Sequence, residues 1–576
     1  MRMAKKWIKL FSLITALCVL APLTTPAASA AYSPPFTTIR IGLFFGSSEL
    51  PSANLQNVAP AGSGFDFGYF DQSRNFVPIG AWTDATSITM LMDRNMVWNP
   101  SAVGGRGEFQ EGTTGSIVVG CFHVQLDAGY STFEEAKAEA ERYQGAFVRY
   151  QSSQSNPFLV LIGHHTTRAG AEEAIRTLGV GSATVNSGTS NTVAVVRTGT
   201  NTILFEFDRG TTPLGVMPRR TGGATPETLF RGLRYTGGFQ YTRRDGALLT
   251  VENVVDIEEY VKGLIPYEMN NTWPIEALKA QALCARTYAM ASIGRHAAHG
   301  FDLCVEEHCQ VYRGRGSANE RTDQAVMETA GMYVTYNGQL TQTFYASSNG
   351  GASENIENVW FDALPYLRGV IDPYEADVAS RISGYYWRLT YTPAQITERL
   401  RSRGFNVATI VSMRVSQYTS TGNVRAVTMT DANGRQWTFS RRGELITALG
   451  VYSQRFNIGG ASWESGNIFA NDPAQPVSPG SQRFGISSGG TVTAAPDGSI
   501  FAITGSGDVV PVEGETASGG GSENGMVNGV FTINGAGRGH NVGMSQWGAN
   551  SMAQHHNKTY EEIIKFYFTD VEITRT

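Results

Sequence analysis

Glu268 is an acidic residue whose neighbours could prepare it for chemistry. It stands in the run PYEMNNTWP, residues 266–274, directly between Tyr267 and Met269 and shortly before Trp273. Apolar and aromatic neighbours exclude water from a carboxyl group and raise its pKa, which a general acid working near neutral pH requires. A glutamate just before a helix is more often a capping residue or a partner of the helix dipole. The residues alone make Glu268 a candidate general acid and leave the capping role open.

A second group with possible chemistry consists of His299, Cys304, His308 and Cys309. Thiolate and imidazole are ligands that Zn²⁺ prefers, and the short spacing lets several ligands converge within one loop. A disulfide between Cys304 and Cys309 is the alternative, which an extracellular compartment permits. Cys284 lies in a stretch rich in small residues and is interpreted as a buried thiol.

The elements around Glu268 follow from the pattern of the surrounding residues. Asp256, with Glu259 three residues later, predicts the start of a short helix that ends near residue 266. A second helix is predicted over about 272–295, with small and apolar residues at helical spacing. Glu268 is therefore expected at a corner between two helices.

An internal repeat lies upstream, between residues 117 and 195. Each half has a short apolar strand, at 124–126 and at 158–162, followed by a polar turn and a predicted helix. Two such units in tandem predict one small sheet with both helices on one face. Residues 36–115 and 202–241 contain short apolar runs separated by turn residues, which is typical of β-rich structure.

The composition indicates a multi-domain extracellular protein. The chain has 576 residues, which at about 150 residues per domain predicts three to four units. Charged residues make up 16% and glycine 65 of the positions, against roughly 25% charged residues in typical soluble proteins. The formal charge is -5, or -9 without the basic residues 1–30. This acidic balance argues against a nucleic-acid binder that neutralises phosphates.

Residues 1–30 have the features of a secretory signal peptide. Four basic residues precede an apolar run at 10–20, and the segment closes on Ala28-Ser29-Ala30, which is typical of a cleavage site. We expect the mature protein to be secreted, with no transmembrane segment. Pro/Ser-rich or Gly/Ser-rich stretches near 471–481 and 513–525 are predicted to be flexible insertions.

Several motifs, in the same order, resemble the SpoIID/LytB family. They are YVKGLIPYEM (260–269), WPIEALKAQA (273–282), HCQVY (308–312), FYASSNGG (344–351) and GRGHNVGMSQWGA (537–549). The family usually has Gly-His-Gly in the last motif, so Asn541 is a departure. Because asparagine tolerates a left-handed backbone better than most residues, we expect it to preserve the turn.

The resemblance implies a lytic transglycosylase that cleaves the MurNAc–GlcNAc bond of peptide-free peptidoglycan strands. Glu268 would protonate the bridging oxygen and then accept the proton of the muramyl 6-hydroxyl, closing a 1,6-anhydro ring. One carboxyl group then suffices, in contrast to the carboxylate pairs of hydrolytic glycosidases. Glu258 and Glu276 are the candidates for a second carboxylate.

Two other functions are compatible with this resemblance. The family includes amidase enhancers, so a non-catalytic peptidoglycan-binding protein that assists a cell-wall amidase is the alternative. A zinc amidase is a third interpretation, which the thiolate-rich ligand set disfavours, since such zinc sites are usually structural.

The resemblance also implies a zinc site and a glycan-binding groove. His299, Cys304 and Cys309 are the expected ligands of a structural Zn²⁺, with His308 as the substitute. Aromatic side chains expected to offer ring faces to the sugars include Trp273, Trp360 and Trp547. The remaining expected contacts with the glycan are Tyr267, Gln310, Tyr312, Ser348, Asn349, His540, Ser545 and Gln546.

Residues 116–197 resemble a SPOR domain, a module that binds peptide-stripped glycan strands. The similarity is carried by FHVQL (122–126) and FLVLIG (158–163), and a ferredoxin-like scaffold without a ligand is the alternative. Amides such as Gln125 on an open sheet surface are the expected sugar contacts. The predicted fold class is α+β, with several domains. The predicted boundaries are 1–30 for the signal peptide, 31–115 for a β-rich region, 116–197 for the SPOR-like domain, 198–245 for a β-rich lead-in and 246–576 for the catalytic domain.

Overall fold

The computed structural model describes most of the chain. It covers residues 34, 36–151, 155–180, 182–244, 246–360, 362–459 and 524–576, with the backbone of four short strands at Phe484–Ile486, Val492–Ala494, Phe501–Ile503 and Val509–Pro511. The predicted signal peptide and the predicted insertion near 471–481 lie outside the described residues, as does nearly all of the insertion near 513–525. Across the described residues, no helix combines the length and the apolar character that a membrane crossing needs.

The described chain is mixed α+β, as predicted. Its first sheet joins the N-terminal strand Thr38–Phe44 to Thr250–Asp256 in antiparallel register and to Leu303–Cys304 in parallel register. This sheet therefore leads the chain into the helices around Glu268 and carries Cys304 at its edge. In spatial order its seven strands are Leu303–Cys304, Thr38–Phe44, Thr250–Asp256, Gly238–Thr242, Leu214–Arg220, Gly62–Phe70 and Phe76–Thr83.

A ten-stranded sheet contains the strands of the internal repeat. Its helices, Phe133–Ala140 and Arg168–Leu178, begin at Thr132 and Thr167, whose hydroxyls accept backbone N–H groups, as capping requires. Both helices pack against the same hydrophobic core. In spatial order the strands are Ala183–Asn186, Phe122–Tyr130, Phe158–His165, Ala146–Gln151, Ile203–Asp208, Val193–Arg197, Ser87–Met92, Ser52–Asn57, Thr228–Phe230 and Leu233–Tyr235.

The sheet of the repeat is larger and less open than the sequence pattern predicts. Strand Ala146–Gln151 pairs in parallel with Ile203–Asp208, which satisfies backbone groups that a free edge would expose. The face opposite the helices is also covered, because Phe147 and Leu161 are buried in a second core. Gln125 is half-buried and accepts a hydrogen bond from the Asn186 amide. The segment over this face contains a small sheet of Met96–Asn99, Glu108–Glu111 and Val118–Val119, with the helical turn Ala102–Gly105.

The helices that carry the candidate site pack around one long helix, Ile275–Ala291, which agrees with the helix predicted over 272–295. Its residues 280–290 are all buried, because five other helices and two strands of the described chain contact it. The preceding helix, Ile257–Lys262, begins as predicted at Asp256, whose carboxylate accepts two backbone N–H groups. The other helices of this region are Ile265–Glu268, Glu320–Glu328, Gln546–His555 and Tyr560–Tyr567.

Two small sheets bring distant motifs to this helix cluster. Strand Tyr345–Ala346 pairs in parallel with Met544–Ser545. Strand Met332–Tyr336 pairs with both Gln339–Leu340 and Glu572–Arg575. The motifs at 344–351 and 537–549 therefore meet beside the long helix, although almost two hundred residues separate them in the chain.

A separate hydrophobic core lies between these two motifs in the sequence. Buried residues from Trp387 to Phe456 form it together with Phe531 and Ile533. The sequence pattern did not indicate this unit. Its elements are the helices Pro393–Arg401 and Arg441–Leu449 and the strands Tyr386–Tyr391, Ile410–Tyr418, Val424–Asp431, Gln436–Ser440, Phe456–Ile458, Met526–Val527 and Val530–Ala536.

Candidate functional site

Glu268 is the last residue of the short helix Ile265–Glu268, at the corner before the long helix. Its side chain is half-buried, and its Oε1 accepts the Val311 N–H at 2.9 Å. Its Oε2 accepts the Gln546 side-chain amide at 3.5 Å. Burial raises the pKa of Glu268, and the hydrogen bonds from Val311 and Gln546 only partly oppose this effect. In the described part of the chain, no basic side chain forms an ion pair with it.

A chain of buried polar groups extends inward from Glu268. The Tyr345 hydroxyl donates to Gln310 Oε1 at 2.8 Å and lies close enough to Glu268 to lower the pKa of its carboxyl. The Gln310 amide in turn donates to the Tyr260 hydroxyl at 3.2 Å and to the Ala285 carbonyl at 3.3 Å. Gln310 is therefore buried and joins Tyr345 to the long helix. These contacts fix the position of the aromatic hydroxyl that faces Glu268.

Several of the residues expected to contact glycan are buried and bonded within the protein. Tyr312 is fully buried and donates to the Asn253 side chain at 2.9 Å. Ser348 is also fully buried, and its hydroxyl accepts the Arg538 N–H at 2.9 Å. In this structure these buried side chains stabilise the region of the site from the protein interior.

Two buried carboxyl groups tie the two late motifs together. Glu375 accepts the backbone N–H of Asn349 at 2.6 Å and also the Ser545 hydroxyl. Asp372 accepts the Asn349 side-chain amide at 2.8 Å and the Tyr567 hydroxyl at 2.6 Å. Asn349 and Ser545 therefore hold the loops that carry neighbouring site residues, including Gln546.

Asn541 adopts a left-handed backbone conformation, which confirms the expectation that asparagine preserves the turn. Its φ is 65°, and its amide donates to the Asn349 carbonyl at 2.6 Å. The preceding His540 is packed on Trp360, with ring centroids 4.9 Å apart, and its Nδ1 accepts the Val542 N–H. Burial lowers the pKa of His540 to about 4, so this ring is neutral near pH 7.

Partly exposed aromatic rings lie on the elements around the site. Trp547 follows Gln546 directly, and its ring lies 4.6 Å from that of Trp273. Trp360 and Tyr267 are each half-buried. Ring faces of this kind can pack against sugars without a charged partner.

The cysteine and histidine cluster differs from the expected ligand set in one member. The structure brings together His296, Cys304, His308 and Cys309, with one ligand atom of each within 4.8 Å of the others. His299 is exposed and lies outside this group, with its ring against Phe301.

The donor set of this cluster fits a zinc ion. The Cys309 sulfur lies 3.4 Å from His296 Nε2 and 3.6 Å from His308 Nδ1. Cys304 and Cys309 are both free thiols, so the alternative disulfide is not formed here. Two thiolates and two imidazoles make up a common structural zinc site. Because Val311 follows Cys309 by two residues, the cluster anchors the loop that donates to Glu268.

The two candidates for a second carboxylate are both engaged elsewhere. Glu258 pairs with Arg286, accepting from Nη2 at 2.6 Å and from Nε at 2.9 Å. Glu276 pairs with Lys279 at 2.9 Å and accepts the Tyr560 N–H. Neither is free to assist Glu268. Cys284 is buried as predicted, 3.9 Å from the Met544 sulfur.

Reasoning from the sequence missed some residues of the site. Tyr345 lies in the motif FYASSNGG, residues 344–351, and its place in this motif was the signal that could have identified it. His296 precedes the cysteines by a spacing similar to that of His299, so only the fold distinguishes them. Asp372 and Glu375 follow no recognisable pattern, because their partners are distant in the chain.

Comparison with known proteins agrees with this geometry. Residues 245–336 match the family model described as SpoIID, Stage II sporulation protein. Relatives include the amidase enhancer of Bacillus subtilis, 29% identical over 54% of this chain and 40% of that protein. They also include the stage II sporulation protein D of Bacillus subtilis, 26% identical over 56% of this chain and 76% of the relative. An uncharacterised protein of Brachyspira hyodysenteriae is 28% identical over 59% of this chain and 73% of its own length.

The match to the amidase enhancer thus spans less than half of that protein. The matched family segment contains Glu268, the long helix and the cysteine and histidine cluster. The relatives are named as an amidase enhancer and as a stage II sporulation protein D, the two kinds of protein that the motifs indicated. The family resemblance predicted from the motifs is therefore confirmed: residues 245–336 carry a SpoIID segment, and the chain is similar to a stage II sporulation protein D and to an amidase enhancer.

Proposed function

We propose that the protein is a secreted lytic transglycosylase that cleaves the MurNAc–GlcNAc bond of peptide-free peptidoglycan strands. The names of its relatives support a function related to the cell wall. The observation that carries the finer proposal is the state of Glu268, a half-buried carboxyl with a raised pKa and, among the described residues, without a basic partner. A general acid needs this combination, since a paired or exposed carboxylate would be ionised near neutral pH.

In the first step Glu268 donates its proton to the oxygen that bridges the two sugars. The bond between this oxygen and C1 of MurNAc breaks, and its electron pair stays with the leaving GlcNAc hydroxyl. The carboxylate that remains is stabilised by the Val311 N–H and the Gln546 amide, because donors to the charged form lower its free energy.

In the second step the 6-hydroxyl oxygen of the same MurNAc attacks C1 and forms the 1,6-anhydro ring. Its proton passes to the Glu268 carboxylate, which restores the acid for the next cycle. No activated water is needed. This agrees with the ion pairs that occupy Glu258 and Glu276.

The surrounding side chains suit an uncharged sugar backbone. His540 is neutral near pH 7 and lies beside Trp360, so it offers polarity and a ring edge without charge. We assign sugar contacts to these two residues and to Tyr267, all three of them half-buried, and to the Gln546 amide, which lies next to Glu268.

His296, Cys304, His308 and Cys309 would hold a zinc ion. When bound, this ion supplies a structural cross-link within the loop that precedes Val311. Glu268 makes both proton transfers of the proposed reaction. The SPOR-like segment 116–197 would bind the same peptide-free strands and raise their local concentration.

A non-catalytic amidase enhancer is the second candidate function, which the name of one relative favours. In that case the same groove binds glycan and presents it to a separate cell-wall amidase. Glu268 would then be a binding residue, and its substitution would weaken glycan binding.

The deciding experiment incubates the purified protein with amidase-treated glycan strands and analyses the products by mass spectrometry. We expect 1,6-anhydro-muramyl ends with the native protein. Glu268→Gln should reduce their formation by at least about 100-fold, since general acid catalysis contributes about that much.

Glu276→Gln is the matched control, because it removes a half-buried glutamate of the same region that is already paired with Lys279. This variant should keep the activity. Reducing ends would identify a muramidase instead. Strands that are bound but not cut by the native protein would support the enhancer.

A further inference from the structure

A second group of buried ionisable side chains lies in the ten-stranded sheet, apart from the SpoIID-type segment. Asp93 follows the strand Ser87–Met92, and His123 and Glu206 lie in two other strands of that sheet. One ligand atom from each of the three residues lies within 4.8 Å of the other two. His123 and Glu206 are fully buried. The fold therefore brings three metal-ligating groups together in the interior.

Among the described residues, each of these three has a buried atom without a hydrogen-bond partner. The atoms are Asp93 Oδ2, His123 Nε2 and Glu206 Oε1. His123 Nε2 lies 3.2 Å from Glu206 Oε1, a distance at which a hydrogen bond needs a proton on this nitrogen. A buried polar atom without a partner costs about 1–3 kcal/mol. Three such atoms in one place indicate that something binds between them.

The orientation of His123 is that of a metal ligand. Its Nδ1 lies 2.7 Å from the Gly163 carbonyl oxygen, which can only accept a hydrogen bond. Nδ1 therefore carries the proton, and in the neutral ring Nε2 presents its lone pair toward the two carboxyl groups. Histidines that bind metals commonly donate their other ring N–H to a carbonyl in this way.

Several charged groups surround the site. Arg149 pairs with Glu206 through Oε2, at 2.5 Å, so Oε1 faces His123 Nε2. Arg243 and Asp208 are the other charged groups that act on Asp93, and burial raises the pKa of Asp93 well above its ordinary value. A divalent cation would therefore bind by displacing the proton of Asp93, since metal ligands must be deprotonated.

We propose that Asp93, His123 and Glu206 form a binding site for one divalent transition-metal cation. One imidazole nitrogen and two carboxylate oxygens suit ions such as Zn²⁺ or Mn²⁺. The ion clamps the turn after Ser87–Met92 to two strands of the repeat-bearing sheet, so its role is structural. This site is separate from Glu268 and from the cysteine cluster.

The test uses the full chain with Cys304→Ser and Cys309→Ser, which removes the thiolate cluster as a competing site. This variant is dialysed against Zn²⁺ or Mn²⁺ and then against metal-free buffer, and the bound metal is measured by mass spectrometry. We expect one ion per chain, and none after Asp93→Asn or His123→Gln is added. The ion should also raise the melting temperature of the first variant and not of the other two.

Circular dichroism without metal verifies that all variants are folded, and Asp66→Asn is the matched control. Asp66 is an aspartate of the neighbouring sheet with an exposed ion pair to Arg219, so its variant should still bind one ion. Absence of both metals from the thiolate-free chain overturns the proposal. Equal binding by Asp93→Asn and His123→Gln overturns it as well. If Asp93→Asn stabilises the chain and no metal binds, a proton on Asp93 occupies the site instead.

Discussion

At the residue scale, the environment of Glu268 combines burial with donors that come from distant parts of the chain. The Val311 N–H comes from the loop after the cysteines, and the Gln546 amide comes from a helix near the other end of the domain. Burial favours the protonated form, while the two donors favour the ionised form that follows proton transfer. The two effects bring the protonated and ionised forms of Glu268 closer in free energy, and the proposed reaction uses both forms.

The pH dependence of cleavage follows from the raised pKa of Glu268. The proposed acid must be protonated, so activity is present at low pH and is lost as pH rises through this pKa. We expect the alkaline limb of kcat/KM on peptide-free strands to lie above the ordinary pKa of a glutamate. Rates that increase with pH across the whole range would contradict the role as acid.

At the element scale, the parallel strands Tyr345–Ala346 and Met544–Ser545 depend on the buried carboxyl groups beside them. Asp372 accepts hydrogen bonds from Asn349 on one loop and from Tyr567 on the last helix. A buried carboxyl group that loses one donor cannot replace it with water. The helix Tyr560–Tyr567 therefore stabilises, through Asp372, the loop of Asn349, which is distant from it in the chain.

Tyr567→Phe tests this connection. Removing its hydroxyl should lower the free energy of unfolding by about 1–3 kcal/mol, because a hydrogen bond to a buried carboxyl group is lost. Urea denaturation measures the change. Tyr560→Phe is the control from the same helix, since its hydroxyl donates to the Met332 sulfur, a weak acceptor, at 3.6 Å. Equal losses in the two variants would argue against a special role of Asp372.

The cysteine and histidine cluster gives a second prediction at this scale. Cys304→Ser with Cys309→Ser should abolish zinc binding at the cluster, lower the melting temperature and reduce cleavage. The reason is that the loop holding Val311 against Glu268 loses its anchor. His299→Ala should change none of these, because His299 is exposed outside the cluster. Loss of zinc in His299→Ala and not in His296→Ala would instead support the ligand set expected from the sequence.

At the scale of the whole molecule, two buried glutamates make stability depend on pH. Glu252 accepts bonds from Gln240 and Thr242, and burial raises its pKa to about 8. Burial and the neighbouring Asp372 raise the pKa of Glu375 to about 8. The native state therefore binds more protons than the unfolded state between the ordinary glutamate pKa and about 8, so stability falls as pH rises through this window.

We expect the free energy of unfolding to decrease by more than about 1 kcal/mol between pH 5 and pH 8. Denaturation at several pH values measures it. Glu252→Gln should flatten the decrease, whereas Glu561→Gln, on the surface of the last helix, should leave it unchanged. Stability that increases over this range would show that other groups dominate.

The sequence predicted those parts of the fold that local patterns determine. Asp256 identified the start of its helix, and the apolar spacing identified the long helix. The motif around Glu268 identified the site residue with the unusual environment. Local patterns carry no information on which distant strands pair, so the ten-stranded sheet, the second core around Trp387 and the choice of His296 over His299 required the structure.

The pairing of Tyr345–Ala346 with Met544–Ser545 has a consequence for the order in which the protein is made. A ribosome that has synthesised the first 540 residues has already produced Glu268, but neither the strand that pairs with Tyr345 nor Gln546 exists yet. The nascent polypeptide therefore has its acidic residue without the surroundings that tune it. These surroundings assemble only once the segment around residues 544–546 has been added to the polypeptide.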